Sequence, residues 1–278
     1  VVRSVGIDPI PLAMRVGISE EQLKSPDLIV RSRNLFRLKE LAARECGLVD
    51  FGLRMAMELV NFSYLGVLGA MAREEPDVRS VLRLLVNKMH LQSGAAFVRL
   101  TEVSGLALVE MVIDPDGESE IIQTTEYAVG MLCFMLRQML GKEWNPREVQ
   151  FIHRKSATSE QYHRAFGCPV TFGASGNILV LQASVLKQHN PYHHTGLRPY
   201  IVPAPVTSLS LGGEGRISPA LVVQAIRSQL SRGKCSVCDV AAQLDVDRRT
   251  LHRHLARSHT TYLKLLQQTR IDAAKQYV

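Results

Sequence analysis

Apolar residues recur at intervals of three and four in several stretches of the chain and at intervals of two in others. The pattern therefore predicts a mixture of helices and strands. SEEQLKSPDL reads as a short helix capped by Ser19, and NLFRLKELAARECG as an amphipathic helix ending at Gly47. Asp77 is placed to cap a helix over VRSVLRLLVNKMHLQ, where Val78, Val81, Leu82, Leu85 and Met89 share one face. AAFVRLTEVSGLALVEMVIDPDG reads as two strands around a turn near Ser104–Gly105, closed by DPDG. Residues 120–140 form a long, mostly apolar helix, a core element first and a dimer face or pocket wall second. VQFIHR reads as a strand, SEQYHRAFG as a short helix, and PVTF and ILVL as two more strands. Together these make a mixed α/β domain with a helical N-terminal portion.

The pattern breaks at 189–215, HNPYHHTGLRPYIVPAPVTSLSLGGEG, where prolines and glycines interrupt any sustained period. The expected organisation is a sensing or dimerising domain over 1–188, a linker over 189–215 and an all-α domain over 216–278. Charge supports the division. Of 33 Lys and Arg and 26 Asp and Glu in the chain, residues 206–278 hold 11 basic against 5 acidic, while residues 1–205 are nearly neutral. A localised basic excess favours a polyanionic partner through counterion release.

Within the basic part, CSVCDVAAQLDVDRRTLHRHLARSH admits two readings. Cys235, Cys238, His254 and His259 satisfy the loose spacing of a zinc finger. However, VCDVAAQL runs from the second cysteine straight into helical periodicity, and LDVD would break the finger's single helix. A helix-turn-helix explains more of the letters. Val237, Val240, Ala241 and Leu244 give one apolar face, and Asp245–Val246 makes the turn. Asp247 caps a second helix that buries Leu251 and Leu255. Arg248, Arg249, Thr250, His252 and Arg253 are then the candidate DNA-binding residues, with arginine suited to guanine edges in the major groove. A solvated basic helix face is the plainer alternative. TTYLKLLQQTRIDAAKQYV follows as a further amphipathic helix opened by Thr260 or Thr261.

The run VAAQLDVDRRTLHRHLARSHTTYLKLLQQTRIDAAKQYV resembles the first helix-turn-helix and connecting helix of AraC/XylS-type bacterial transcription regulators. Asp245 stands where that family usually has the turn glycine, and His259 where glycine usually ends the recognition helix. VQFIHR, the run Tyr162–Val170, TFGASGNILVL, LGVLGAMA and the early helices resemble the arabinose-binding-type N-terminal domain of one branch of the family. The resemblance implies a double-stranded DNA operator, a homodimer, a small-molecule effector and an RNA polymerase contact as partners, with activation the commoner habit. It also implies a second helix-turn-helix. Either that unit lies beyond Val278 or the protein reads DNA with half the usual reader; Ala273, Ala274, Tyr277 and Val278, otherwise without a partner, favour the first.

Other chemistries find little support. AVGMLCFML, residues 128–136, is too short to cross a bilayer, which needs about 20 residues. The N-terminus has no apolar stretch of signal-peptide kind. Five cysteines, at 46, 133, 168, 235 and 238, make a poor disulfide framework and read as reduced, buried thiols of a cytoplasmic protein. GASG at 173–176 falls short of a nucleophile elbow and GGEGR lacks the Lys-Ser/Thr of a phosphate loop. His189, His193 and His194 read as a solvated linker cluster, and nothing brings His153 to Glu160. No catalytic residue, metal site or cofactor is expected. The competing reading is a metabolite-binding or interaction module whose basic tail touches nucleic acid without reading sequence.

Overall fold

The strands expected on either side of Ser104–Gly105 pair as β1 (Ala96–Val103) and β2 (Leu106–Ile113), antiparallel from Val103 opposite Leu106 to Ala96 opposite Ile113. Ser104 and Gly105 both have positive φ, 49° and 76°, the mirror-image turn whose twist matches that of the flanking strands. The computed structural model describes residues 1–24, 30–58, 65–115, 117–118, 120–193, 219–230, 236–244, 246–258 and 260–275. The chain divides into two compact units, Val1–Pro203 and Ala204–Val278.

In the first unit β1 and β2 continue into a five-stranded sheet of order β1-β2-β5-β3-β4. β5 (Ile178–Gln182) runs antiparallel to both β2 and β3 (Glu148–Phe151). β4 (Val170–Phe172) is parallel to β3, and α8 (Ser159–Phe166) is the crossover between them. The helical portion precedes the sheet as α1 (Pro9–Arg15), α2 (Glu20–Lys24), α3 (Ser32–Glu45), α4 (Phe51–Met57), α5 (Gly66–Arg73) and α6 (Val78–Lys88). The expected caps form. Ser19 Oγ accepts the Gln22 amide at 3.2 Å while Gln22 Oε1 accepts that of Ser19 at 3.0 Å, and Asp77 Oδ1 accepts the Ser80 amide at 2.7 Å.

The apolar helix expected at 120–140 is α7 (Ile122–Leu140). It is buried on most of its surface, with Val129, Leu132, Cys133 and Leu136 in one core with Val98, Val109, Met111, Leu179 and Leu181 of the sheet. Its other neighbour is α4, approached at very short range. A Cβ on Gly130 would lie 2.7 Å from Ala56 Cβ, and one on Gly52 would lie 2.1 Å from the Gln123 carbonyl oxygen. Gln123 closes the crossing: its side chain accepts the Gly52 amide at 2.8 Å and donates to the Val49 carbonyl at 3.0 Å. Its own amide donates to Glu40 Oε1 of α3 at 2.7 Å.

One turn beyond Gln123, Glu126 is carried into the core with no exposed surface. Its Oε1 accepts the hydroxyls of Tyr162 and of Ser156, the latter at 2.8 Å. Burial, reinforced by the nearby carboxylates Glu40 and Asp50 and only partly offset by those two hydroxyls, pushes the carboxyl up from 4.5 to about 7.

The chain is pinned again where it returns from the sheet. Asn190, fully buried, donates to the carbonyls of Ala72 and Glu75 at 2.9 and 2.8 Å, and its amide donates to that of Pro76. The His193 ring lies 3.0 Å from the Glu74 carbonyl through Nδ1. Residues 189–193, given to the linker by the sequence, are thus held against the first unit; His194 and the rest of that segment lie outside the described residues.

The described part of the second unit is helical: α9 (Pro219–Leu230), α10 (Val237–Gln243), α11 (Arg248–Arg257) and α12 (Tyr262–Lys275). Val222, Ala225, Ile226, Val240, Ala241, Leu251, Leu255, Tyr262 and Leu266 form its core.

Two outcomes are expected. Gly52→Ala places a methyl against backbone that cannot withdraw without opening the α4–α7 crossing, so it destabilises by about 1–3 kcal/mol in urea unfolding; an unchanged midpoint would show that the two helices part freely. Glu126→Gln tests the buried acid. A carboxyl raised in the folded state binds a proton the unfolded chain has lost, so wild-type stability falls as pH rises from 4.5 towards 7 and then levels. The isosteric amide escapes this. The variant should unfold at higher denaturant than wild type at pH 8, by up to about 3 kcal/mol, and the gap should close towards pH 4.5.

Candidate nucleic-acid interface

α10 begins at a reciprocal cap. Ser236 Oγ accepts the Asp239 amide at 3.1 Å and Asp239 Oδ2 accepts the Ser236 amide at 3.3 Å. The helix ends through Leu244, and the Val246 amide returns to the Ala241 carbonyl at 3.0 Å, which folds the turn back onto α10. Val240 and Ala241, both buried, face the core.

Asp247 then starts α11, as expected. Its Oδ1 accepts the Thr250 amide at 2.8 Å and its Oδ2 the Thr250 hydroxyl, also at 2.8 Å. Those two bonds hold the Asp247 carboxyl below its ordinary range, so the cap is ionised at neutral pH. Thr250 is therefore half-buried, with its hydroxyl engaged in the cap rather than offered outward.

Leu251 and Leu255 are fully buried on one side of α11, with His254 beside them. Arg248, Arg249, His252 and Arg253 are all exposed. At about 100° per residue Arg249 and Arg253 point away from the leucines, His252 lies between, and Arg248, seven residues before Leu255, borders the buried side. Among the described residues none of the four is in an ion pair with a carboxylate, so their charge is available to an external anion. α12 opens at Thr261, whose Oγ1 accepts the Lys264 amide at 3.3 Å. Its Tyr262 and Leu266 complete the core.

Of the four residues with zinc-finger spacing, Cys238 and His254 are described, and they lie on different helices. Cys238 lies exposed on α10, unlike the buried thiols Cys133 and Cys168, whereas His254 is buried on α11. Cys235, Asp245 and His259 lie outside the described residues, as do His194 and GGEGR. Among the described residues no group of three or more His, Cys, Asp or Glu could hold a metal, and no helix is long and apolar enough to cross a membrane.

In the first unit GASG is a turn between β4 and β5, where the amides of Gly173 and Ala174 bond the carbonyls of His153 and Phe151. Glu160 is exposed and bonded to Arg164 at 3.0 Å. The carboxylate near His153 is that of Glu126, 3.7 Å from Nε2. Sequence reasoning missed this pairing; the available signal was the lone acid within the apolar stretch of α7.

The family model described as arabinose-binding domain of AraC transcription regulator, N-term, matches residues 6–190. The HTH-type transcriptional regulator VirS of Mycobacterium tuberculosis, in strains CDC 1551 / Oshkosh and ATCC 25618 / H37Rv, is 26% identical over 284 residues, covering 100% of this chain and 81% of VirS. The crystal structure of the transcriptional regulator CdpR from Pseudomonas aeruginosa aligns with 97% of this chain and 84% of its own, at 20% identity and a TM-score of 0.47.

Asp247→Ala should cost about 1 kcal/mol through loss of the α11 cap, and Asp247→Asn less. Chemical denaturation followed by a probe in the second unit checks this. Equal losses for both would mean that the Asp247 charge matters beyond its hydrogen bonds.

Proposed function

Since the chain belongs to the AraC-type transcription regulators with an arabinose-binding-type N-terminal domain, we propose that it binds a double-stranded DNA operator through its helix-turn-helix. The first unit then senses a small molecule, dimerises, or does both, and a contact with RNA polymerase makes activation the expected direction. A protein doing this in a bacterium works in the cytoplasm.

The observation that carries the reading is the division of α11. Arg248, Arg249, His252 and Arg253 stand exposed with no ion-paired carboxylate among the described residues, while Leu251 and Leu255 lock the helix into the core. A helix held in this way projects the side chains of its first turns rigidly, which reading base edges requires and diffuse charge attraction does not. The domain organisation supports the same reading, because the basic excess and the helix-turn-helix fall in the same unit. Thr250 is left a supporting role: its hydroxyl is engaged with Asp247, so the cap and the base contact would compete for it.

DNA retained by the full chain from sheared genomic fragments at near-physiological salt should share one motif. On that motif Arg249→Ala should lose about 1–3 kcal/mol at one base pair and relax the preference there. An equal loss on random DNA would reduce Arg249 to a phosphate contact. Steeply salt-dependent binding without a motif would favour a basic tail that binds charge alone.

A further inference from the structure

Glu126 is an acid in the wrong place for a structural role alone. It is buried completely, yet its Oε2 has no hydrogen-bond partner, and neither does the buried Nε2 of His153 beside it. His153 Nδ1 lies 2.8 Å from the Arg154 carbonyl and so carries the ring proton. Nε2 is then an acceptor, and burial, only partly offset by that carbonyl, lowers the ring's basicity. Nε2 lies 3.7 Å from Oε1, the oxygen that already accepts two hydroxyls, and when Glu126 is ionised no group supplies a donor to Nε2 or to Oε2. The Tyr162 and Ser156 hydroxyls already serve Oε1, and burial and the Glu126 charge raise the Tyr162 pKa, so it remains a donor.

The carboxylates Glu40 of α3 and Asp50 before α4 act on Glu126, but Asp50 is itself ion-paired with Arg54 at 2.8 Å, and Arg44 acts on Glu40. The surroundings of Glu126 are aromatic. The His153 ring lies 4.8 Å from Phe151 and 5.9 Å from Phe172, and Tyr162 meets Phe172 edge-on at 4.8 Å. Tyr162 and Phe172 also line a pocket of about 710 Å³ with Cys168, Pro169 and Val170. Lys155 and Glu160 line it as well, both exposed, and they bring opposite charges. Tyr162 belongs to both features, lining the pocket and bonding Glu126 through its hydroxyl; Glu126 and His153 are not themselves among the pocket's lining residues.

We propose that the first unit takes a small molecule with a cationic, hydrogen-bond-donating head, a primary ammonium or a guanidinium, on a short apolar body. Glu126 receives the head, His153 Nε2 accepts a second bond from it, and the pocket beside Tyr162 seats the body. Such a head supplies the donors that both acceptors lack, and its charge offsets the desolvated carboxylate. Aromatic rings around the head add cation–π attraction. An anionic ligand would be repelled by the Glu126 carboxylate, and a purely apolar one would leave Glu126 and His153 unsatisfied. This assignment rests on the reading of the first unit as a sensor.

The test is calorimetric titration of the full chain with n-pentylammonium chloride, 1-pentanol and sodium pentanoate, at pH 8 and pH 6. Pentylammonium should bind at least tenfold more tightly than pentanol, and pentanoate should not bind. Binding requires the ionised carboxylate, so affinity at pH 8 should exceed that at pH 6 by about tenfold, a comparison that needs no variant. Glu126→Gln should remove both the preference for the amine and the pH dependence. Absence of pentylammonium binding, equal binding of amine and alcohol, or undiminished binding to the variant overturns the assignment. Operator affinity measured with and without a small-molecule extract of the source cells separates the two levels. A response to extract without amine binding leaves the sensor and moves its site elsewhere; no response to either removes the sensor reading as well.

Discussion

The close crossing of α4 and α7 is the constraint on which the first unit depends. Two glycines, Gly52 and Gly130, leave room for the approach, and Gln123 ties α7 to the Gly52 amide and the Val49 carbonyl while its own amide reaches Glu40. Glycine in a helix interior costs about 1 kcal/mol in propensity, so the close packing and the Gln123 hydrogen bonds must compensate. They do more than stabilise. With α7 fixed in rotation by Gln123, the residue one turn later has no route to solvent, and that residue is Glu126. The same anchoring that gives the sheet its cover thus places an acid among aromatic rings.

The second unit solves a different problem with different means. Its helices are short, and single helices of that length are marginal in water. Capping and shared burial compensate: Ser236 with Asp239 starts α10, Asp247 with Thr250 starts α11, Thr261 starts α12, and their apolar faces join α9 in one core. The basic residues of α11 contribute nothing to that core. Holding three exposed arginines within six residues adds repulsion without stabilising the fold, which is why their arrangement speaks for an external anion rather than for architecture.

What can be read from the letters follows from how local each determinant is. α11 is legible because Asp247, Leu251 and Leu255 lie within nine residues, and the β1–β2 hairpin because Ser104–Gly105 sets its turn. The Thr250 bond is in reach too, since an aspartate cap with a hydroxyl three residues on is a local pattern. α4 and α5 are not. FGLRMAM and GVLGAMAR carry glycines that lower helix propensity, and α4 is helical because α7 packs on it. α9 is absent from the sequence reading although Val222, Ala225 and Ile226 carry helical spacing, because the stronger basic motif lies after it. The Glu126 cluster is non-local in full: Ser156 and Tyr162 lie 30 and 36 residues from Glu126. Proximity in sequence suggests Glu160 for His153, and topology chooses otherwise.

The cost of that cluster bears on regulation. A carboxyl shifted to about 7 is roughly half ionised at neutral pH, so the free protein is divided between a protonated form and a charged form with no counter-ion. A ligand changes an equilibrium only through its differential affinity for the states involved. On the proposed reading a cation binds the charged form and draws the population to it, converting a desolvation penalty in the free protein into affinity in the complex. The contact is then transmitted by what already touches Glu126. Tyr162 belongs to α8, which links the parallel strands β3 and β4, and Gln123 one turn away ties α7 to α3 and α4. A change in the charge or position of Glu126 therefore acts on the crossover and on the helical portion together. A surface site with the same chemistry would be screened by solvent and would move neither.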